Sequence, residues 1–277
     1  MNISFLWFLL LANFSLVQTF FTYNTFFPFY RMIRFKLKES QYKIKKRAEP
    51  TKIIVNTPAG LNGFYTLGVT SFIKEHYGLH DYIFSGASAG AWNSVFMAYK
   101  GNSSDFINKL LESDKLKNAT SVLEVEKTIK DTILNVCNEE CFDLSRVNIG
   151  VAVMPRLWKL RLRLVIFNDF ETLEDAIDCC VASSHIPFIT GGLLHKYRGK
   201  FCFDGGFFNY PYLNTTEPSL IISPSMWNST LTSNPCPSKS LKEEPLNVTE
   251  LYMAGYKDSL KNKHILDNIF YELEYYI

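Results

Sequence analysis

One short stretch of the chain has the residue types that a nucleophilic hydrolase needs. In residues 84–92, which read FSGASAGAW, Ser88 stands between Gly86 and Gly90 and follows an apolar, strand-like run. A serine on a sharp turn between a strand and a helix projects its hydroxyl above the sheet, and glycines let such a turn fold without Cβ clashes. The N-terminus of the following helix offers N–H groups to a developing oxyanion. The pattern predicts Ser88 as a nucleophile, and the alternative is a small residue in a tight bend.

A serine hydroxyl needs a base, and the sequence offers two arrangements. Asp204 ends a short apolar run and precedes Gly205 and Gly206, so it is a candidate base at a strand end, with a plain Asp-Gly turn as the alternative. His264 is the one histidine that follows Asp204, so an α/β-hydrolase triad of Ser88, Asp204 and His264 is formally possible. The surrounding residues, NKHILDN, are typical of an ordinary helix and favour a structural role for this histidine.

These residues fall at the ends of predicted strands. From Pro50 onward, short β-branched or aromatic runs alternate with segments of helical periodicity. The sequence predicts strands at 52–57, 80–85, 148–155, 161–168, 200–203 and 219–224, and helices at 63–78, 89–101, 103–116, 121–136 and 172–184. This alternation predicts a mostly parallel sheet with helices on both faces, whose active site lies beyond the carboxyl ends of the strands. We expect segments 58–63, 86–90 and 204–206 at that edge.

Taken together, these segments resemble the patatin-like phospholipase family. Residues 52–96 resemble the opening of that domain, with a glycine-rich loop that begins a helix, then a strand, then Gly-x-Ser-x-Gly. Residues 182–192, ASSHIPFITGG, and 199–211, GKFCFDGGFFNYP, resemble the family's Ala-Ser…Ile-Pro and Asp-Gly-Gly segments. The similarity covers roughly residues 50–213. It implies a three-layer α/β/α fold with a mostly parallel central sheet and a nucleophile elbow.

The resemblance also implies a reaction. Ser88 would be the nucleophile and Asp204 the proton acceptor of a Ser–Asp dyad, without a histidine. The serine would attack a lipid ester carbonyl, and a water activated by Asp204 would hydrolyse the acyl-enzyme. The motif glycines are Gly86, Gly90, Gly205 and Gly206. The expected enzyme is a lipid acyl hydrolase of the phospholipase A, galactolipase or triacylglycerol lipase type, with no metal and no cofactor. An acyltransferase would use the same acyl-enzyme.

The predicted oxyanion loop departs from the family pattern. The family reads roughly Gly-x-Gly-x-x-Gly, often with a basic residue before the last glycine, whereas this chain has PAGLNG at residues 58–63. Pro58 has no N–H to donate, so we expect the oxyanion hole at Gly60, Leu61 and Gly63. The loss of one donor raises a barrier by about 2.7–4 kcal/mol. A catalytically weak or inactive lipid-binding protein with the same fold, at a membrane surface, is therefore the second interpretation.

The first 49 residues predict membrane association. Residues 3–21 are apolar and uncharged, so residues 1–30 are interpreted as a signal peptide or a membrane anchor. Residues 31–49 follow as a basic linker, and their 31–47 part has eight Lys/Arg and one Glu, a composition that attracts anionic lipid headgroups. Membrane lipids or lipid droplets would supply the substrate. The basic run favours the cytosolic side, whereas seven Asn-x-Ser/Thr sequons favour the lumenal side, and the sequence leaves the side open.

Composition limits the class of protein. The 277 residues are 47% hydrophobic and only 20% charged, which provides a sizeable core and excludes a disordered chain. A net charge of +2 does not indicate a nucleic-acid partner. Residues 50–213 are assigned to the patatin-like domain and residues 214–277 to a C-terminal extension of that domain without a readable motif. The six cysteines show neither a Cys-x-x-Cys pair nor zinc-ligand spacing, so thiols are expected, with disulfides as the alternative in a lumenal domain.

Overall fold

The protein is described by a computed structural model over residues 52–136, 139–154, 162–208, 217–227 and 247–271. The predicted N-terminal segments at 1–30 and 31–49 lie outside these ranges. The described strands are β1 (Lys52–Asn56), β2 (Tyr82–Gly86), β3 (Val147–Met154), β4 (Arg163–Phe167), β5 (His195–Tyr197), β6 (Lys200–Phe203) and β7 (Leu220–Ile222). The described helices are α1 (Gly63–His76), α2 (Ala89–Met97), α3 (Ser103–Leu111), α4 (Asp114–Lys117), α5 (Val122–Val136), α6 (Leu173–Ser183), α7 (Val248–Lys261) and α8 (Lys263–Tyr271). None of these eight helices has the length and apolar character that a bilayer crossing requires.

The expected elements are present, with shifts that have local causes. The predicted cap of α6 forms, because the Thr172 hydroxyl accepts the N–H of Asp175 at 3.1 Å. The helix expected to reach residue 101 ends at Met97 instead. There the Lys100 N–H donates to the Cys141 carbonyl at 2.7 Å, which draws the chain out of the helix. The single helix expected over 103–116 is divided into α3 and α4.

The seven strands form one mixed sheet with the order β5-β6-β3-β2-β1-β7, and β4 also pairs with β3. The expected parallel pairing holds for β3-β2, β2-β1 and β1-β7. The other pairings, β3-β4, β3-β6 and β5-β6, are antiparallel. The α/β fold class expected from the resemblance is confirmed, and the parallel part of its sheet runs from β3 through β2 and β1 to β7.

Two strands follow one another along a single edge of β3. Ala152 and Val153 pair with both β4 and β6, and Ile149 pairs with both β4 and β2. A strand has two hydrogen-bonding edges, so β4 occupies one edge and β2 and β6 share the other. Parallel β2 ends beside Ile149, and antiparallel β6 ends beside Ala152. The carboxyl ends of these two strands therefore face each other across a gap at Gly150.

The core lies mainly on one face of the sheet. Ile54 of β1 and Phe84 of β2 belong to the large buried cluster with the helices, whereas Ile53 and Val55 form a second, smaller cluster. Burial on both faces explains why the central strands read as continuous apolar runs.

The described C-terminal elements pack against β1 and α1. β7 adds a parallel strand beside β1, and α7 packs along α1. The Tyr65 hydroxyl of α1 donates to Asp258 of α7 at 3.0 Å. α8 reaches the far end of α1, where the ring of Phe270 stacks on Tyr77 with centroids 4.4 Å apart.

Candidate active site

Ser88 occupies the sharp turn between β2 and α2. Its backbone has φ 53° and ψ −131°, a conformation that is costly for a residue with a side chain and that often marks a functional site. The turn is tight because α2 starts against the end of β1. A Cβ on Gly90 would lie 2.1 Å from the Asn56 carbonyl oxygen, so only glycine permits this approach. The strand–turn–helix context expected for the Gly86-x-Ser88-x-Gly90 motif is present.

Asp204 follows β6 and faces Ser88 across the gap beside β3. The Ser88 hydroxyl donates to Asp204 Oδ2 at 2.7 Å. The second carboxylate oxygen, Oδ1, accepts the N–H of Gly206 at 2.6 Å. A Cβ on Gly205 would lie 2.2 Å from the Gly150 carbonyl oxygen and 2.7 Å from the Cβ of Ala87, so glycine is required where this segment enters the gap. The two residues expected to react are therefore in direct contact.

Burial sets the basicity of Asp204. Its side chain is held by hydrogen bonds and the residue is only 8% exposed. Burial raises the pKa of Asp204 to about 6, and the hydrogen bonds from Ser88 and Gly206 oppose that rise. A carboxylate with a pKa near 6 is ionised at neutral pH, yet it is a stronger base than an ordinary aspartate.

Ser183, at the end of α6, is a third residue of the site. It belongs to the family-like segment at 182–192, but the sequence analysis gave it no role. Its hydroxyl accepts the Ser88 N–H at 2.8 Å and donates to the Gly150 carbonyl oxygen at 2.7 Å. The hydroxyl thus fills the gap that the end-to-end strands β2 and β6 leave in the hydrogen-bond ladder of β3. The residue is 0% exposed. Its place in the family-like segment at 182–192 is the available sequence signal.

The residues expected to form the oxyanion hole surround the turn that begins α1. Gly60 has φ 54°, and residues Gly60–Asn62 form a short 3-10 turn. The Gly63 N–H donates back into this turn, to the carbonyl oxygens of Gly60 and Leu61, so it is not directed at a ligand. Among the described residues, no acceptor is found for the N–H groups of Gly60, Leu61 and Ala89. The N–H groups of Gly60 and Leu61 therefore remain candidate oxyanion donors, and the N–H of Ala89, directly after Ser88, is a third candidate.

The alternative triad with His264 is contradicted by the structure. α1 begins beside Ser88 and spans 14 residues, a length of about 21 Å. α8, which carries His264, packs at the opposite end of α1, where the Tyr77 hydroxyl donates to Asp267 at 2.8 Å. An exposed histidine at that distance cannot serve as the base of Ser88.

One histidine lies close to Asp204 through its main chain. The His185 carbonyl accepts the Asp204 N–H at 2.8 Å, which fixes the start of the Asp204 turn. The His185 ring lies next to the His195 ring, tilted by 34° with centroids 5.4 Å apart, and burial lowers the pKa of both rings. Across the ranges that the structure describes, no three or more His, Cys, Asp or Glu side chains form a group that could hold a metal. Cys179, Cys180 and Cys202 are buried thiols, and Cys137 and Cys236 lie outside the described residues.

Ser88 and Asp204 border an apolar cavity of about 820 Å³, which includes its open mouth. Helices α1, α2, α3 and α5 supply most of its wall, with side chains that include Phe64, Leu67, Phe96, Phe106, Val125 and Ile133. Such a wall suits a hydrocarbon chain. Glu126 is the one ionisable side chain besides Asp204 among the described lining residues, and the sequence analysis did not single it out.

Two residues that line the cavity belong to a loop between α6 and β5 that also carries exposed apolar side chains. Ile186 and Thr190 line the cavity, while Phe188, Leu193 and Leu194 are 67%, 43% and 41% exposed. Phe188 has φ 65°, which is unusual for an aromatic residue. The Thr190 hydroxyl holds the loop by accepting the Ile186 N–H at 2.9 Å. The exposed apolar side chains therefore lie on the same loop as two residues of the cavity wall.

The fold and the site define an α/β protein whose sheet presents a buried serine–carboxylate pair to an apolar cavity. The sequence model of the family described as patatin-like phospholipase matches residues 59–215. This match covers more than half of the chain, and the chain belongs to the patatin-like phospholipase family. Lipid ester hydrolysis is the class of function that this family implies.

The other comparisons add little. No curated protein matches the chain. Among solved structures, the chain is similar to the crystal structure of VipD from Legionella pneumophila, with a TM-score of 0.34 and 14% sequence identity. That similarity covers 71% of this chain and 55% of the VipD chain, so the chain spans about half the length of that protein.

Proposed function

We propose that this protein is a lipid acyl hydrolase that cleaves a carboxylic ester with the dyad Ser88 and Asp204. The observation that carries the proposal is the 2.7 Å hydrogen bond from the Ser88 hydroxyl to Asp204 at the edge of an apolar cavity. In this mechanism Asp204 accepts the serine proton as the hydroxyl attacks the ester carbonyl. The N–H groups of Gly60, Leu61 and Ala89 receive the developing oxyanion. Asp204 then returns the proton to the leaving alkoxide and activates the water that hydrolyses the acyl-enzyme.

The substrate class follows from the walls around the dyad. A cavity lined by aromatic and aliphatic side chains favours the acyl chain of a phospholipid, galactolipid or triacylglycerol. The exposed apolar loop with Phe188 and Leu194 favours contact with a lipid surface at the mouth, where a substrate molecule can leave that surface without crossing water. We propose membrane lipids or lipid droplets as that surface.

The N-terminal region completes the proposal. Residues 1–30 act as a signal peptide or an anchor, and the basic residues at 31–47 attract anionic headgroups. Residues 50–213 and 214–277 then act as one catalytic domain held at the lipid surface. Flotation of the full chain with vesicles of increasing anionic lipid content tests this part. Binding that does not depend on anionic lipid would contradict the role assigned to 31–47.

Measurement of fatty acid release by the full chain tests the reaction. Phospholipid, galactolipid and triacylglycerol substrates are compared for the wild type and for the variants Ser88→Ala and Asp204→Asn, with His264→Ala as the matched control. We expect both site variants to lose release and the control to retain it. Release that survives Ser88→Ala would overturn the dyad. Added alcohol or lysolipid acceptors separate a hydrolase from an acyltransferase, because only the latter transfers the acyl group to them in preference to water.

A second candidate function rests on the loop at residues 58–63. Pro58 provides no N–H where the family pattern has a glycine, so the oxyanion receives one donor less. A lipid-binding protein without turnover is then the alternative. A folded wild type that binds vesicles and releases no fatty acid from any of the three lipids would favour this function over the hydrolase.

A further inference from the structure

Glu126 interrupts the apolar face of α5 that lines the cavity. Val122, Val125, Ile129 and Ile133 recur at helical spacing and line the cavity, and Glu126 occupies the same face. The residue is only 7% exposed. A glutamate is rarely buried among aliphatic side chains unless a partner compensates for its lost hydration.

No hydrogen-bond partner for the Glu126 carboxyl is found among the residues that the structure describes. Lys130, one turn further along α5, makes its 2.6 Å ion pair with Asp178 of α6 instead. Asp204 and Cys180 are the other titratable groups that act on Glu126 from the neighbouring elements. Burial, and then the negative charge of Asp204, raise the pKa of Glu126 to about 8, so its side chain is a neutral carboxylic acid at pH 7.

A neutral carboxylic acid is both a hydrogen-bond donor and an acceptor, as is a hydroxyl group. An unsubstituted hydrocarbon chain offers Glu126 neither a hydrogen-bond donor nor an acceptor, so the buried acid stays unsatisfied. Polar sites discriminate most strongly between substrates in this situation. Glu126 and Asp204 line the same cavity, so an acyl chain held there would pass the Glu126 carboxyl. A hydroxyl on that chain would therefore meet it.

We propose that Glu126 determines acyl-chain specificity by binding a hydroxyl group on the acyl chain held in this cavity. The proposal rests on the proposed hydrolase function, and it identifies hydroxylated acyl esters as the preferred substrate class. Glu126 takes no part in proton transfer at the ester. It selects the chain, whereas Ser88 and Asp204 carry the reaction.

The test compares soluble esters of hydroxyacyl chains, with the hydroxyl placed at successive carbons of the chain, with the plain ester of equal length. The ratio of their kcat/KM values is measured for the full-length wild type, Glu126→Gln and Glu126→Leu. Glutamine keeps a donor and an acceptor, so we expect its ratio to stay within about threefold of the wild type. Leucine removes both, and we expect the ratio to fall at least about tenfold while the plain ester is still hydrolysed. A leucine variant that turns over the plain ester with an unchanged ratio overturns the proposal.

A binding arm separates failure of this proposal from failure of the hydrolase function. Calorimetry with the hydroxylated and plain free fatty acids uses the Ser88→Ala variant, alone and combined with Glu126→Gln or Glu126→Leu, and needs no turnover. We expect tighter binding of the hydroxylated acid in Ser88→Ala and in the glutamine variant, and loss of that preference in the leucine variant. Equal binding of both acids in all three rejects the role of Glu126 whether or not the wild type is an enzyme. Should the leucine variant not fold, equal binding of both acids by Ser88→Ala and by its glutamine variant is enough to reject that role.

Discussion

Removal of the Ser183 hydroxyl should cost stability and turnover together, because this one group serves two buried main-chain atoms. The Ser183→Ala change leaves the Ser88 N–H and the Gly150 carbonyl without the hydrogen bonds of 2.8 and 2.7 Å that they now make. Each buried polar group left unsatisfied costs about 1–3 kcal/mol. The expected loss in the free energy of unfolding is therefore about 2–6 kcal/mol, a large part of the stability of an ordinary domain.

Ser259→Ala is the matched control for this prediction. Ser259 is also 0% exposed, but its hydroxyl only donates to the Gly255 carbonyl one turn earlier in α7, at 2.9 Å. The Gly255 carbonyl remains part of the main-chain hydrogen-bond ladder of α7, so Ser259→Ala should lower the free energy of unfolding by at most about 1 kcal/mol. Urea unfolding of the full-length variants measures both changes.

The same variant should lower kcat on a soluble ester. The positive φ of Ser88 is held by the bond from its N–H to Ser183, and release of the turn misplaces the hydroxyl relative to Asp204. Misplacement worth about 1.4 kcal/mol in the transition state gives a tenfold loss of kcat. A Ser183→Ala protein that unfolds at the same urea concentration as Ser259→Ala and keeps its kcat would refute the reasoning.

Three further predictions follow from single features of the site. Hydrolysis should fall as the pH drops through about 6, since Asp204 must be ionised to accept a proton and its pKa is raised to about 6. A pH–kcat profile with an acid limb near pH 4 would contradict this. Phe188→Asp should reduce hydrolysis of vesicle lipid at least about tenfold and leave hydrolysis of a soluble ester unaffected, whereas Leu260→Asp, at a residue 55% exposed on α7, should change neither rate. Equal losses on both substrates would argue against lipid contact at this loop. Gly205→Ala should lower the melting temperature by several degrees, because its Cβ would meet the main chain of β3, whereas Gly192→Ala, whose Cβ would have no atom within 4 Å, should not. Equal shifts in melting temperature would show that the gap tolerates a side chain.

Much of the fold could be predicted from the sequence because the central strands β1, β2 and β3 are buried on both faces. Continuous apolar runs such as Ile53–Val55 are visible without any partner, and the positions of β1, β2 and β3 were correct to within two residues. The direction of β6 was not predictable, because a run of four residues is compatible with parallel or antiparallel pairing. The sheet is mixed because the pairings β3-β4, β3-β6 and β5-β6 are antiparallel. The antiparallel direction of β6 brings Asp204 to the gap.

The candidate site was predictable where its residues form a local motif. Ser88 and Asp204 each lie at a strand end beside glycines, and the structure joins them by a hydrogen bond. Ser183 lies in the family-like segment at 182–192, but neither Ser183 nor Glu126 stands at a strand end beside glycines. Each looks like one more residue of an amphipathic helix until the burial of its face is known. For Glu126 a signal was present, because a charged residue stands at the spacing of Val122, Ile129 and Ile133, but helix α5 alone does not show that this face lines a cavity.

The end-to-end placement of β2 and β6 suggests how the proposed Ser88–Asp204 dyad would operate without a histidine. Both strands present their carboxyl ends to the same gap, so the carboxylate of Asp204 reaches the Ser88 hydroxyl directly, at 2.7 Å, and leaves no space for an imidazole between them. A histidine base normally supplies a pKa close to neutral, which an exposed aspartate lacks. Here burial raises the pKa of Asp204 to about 6, so the sheet geometry that excludes the imidazole also supplies a carboxylate of nearly the same basicity.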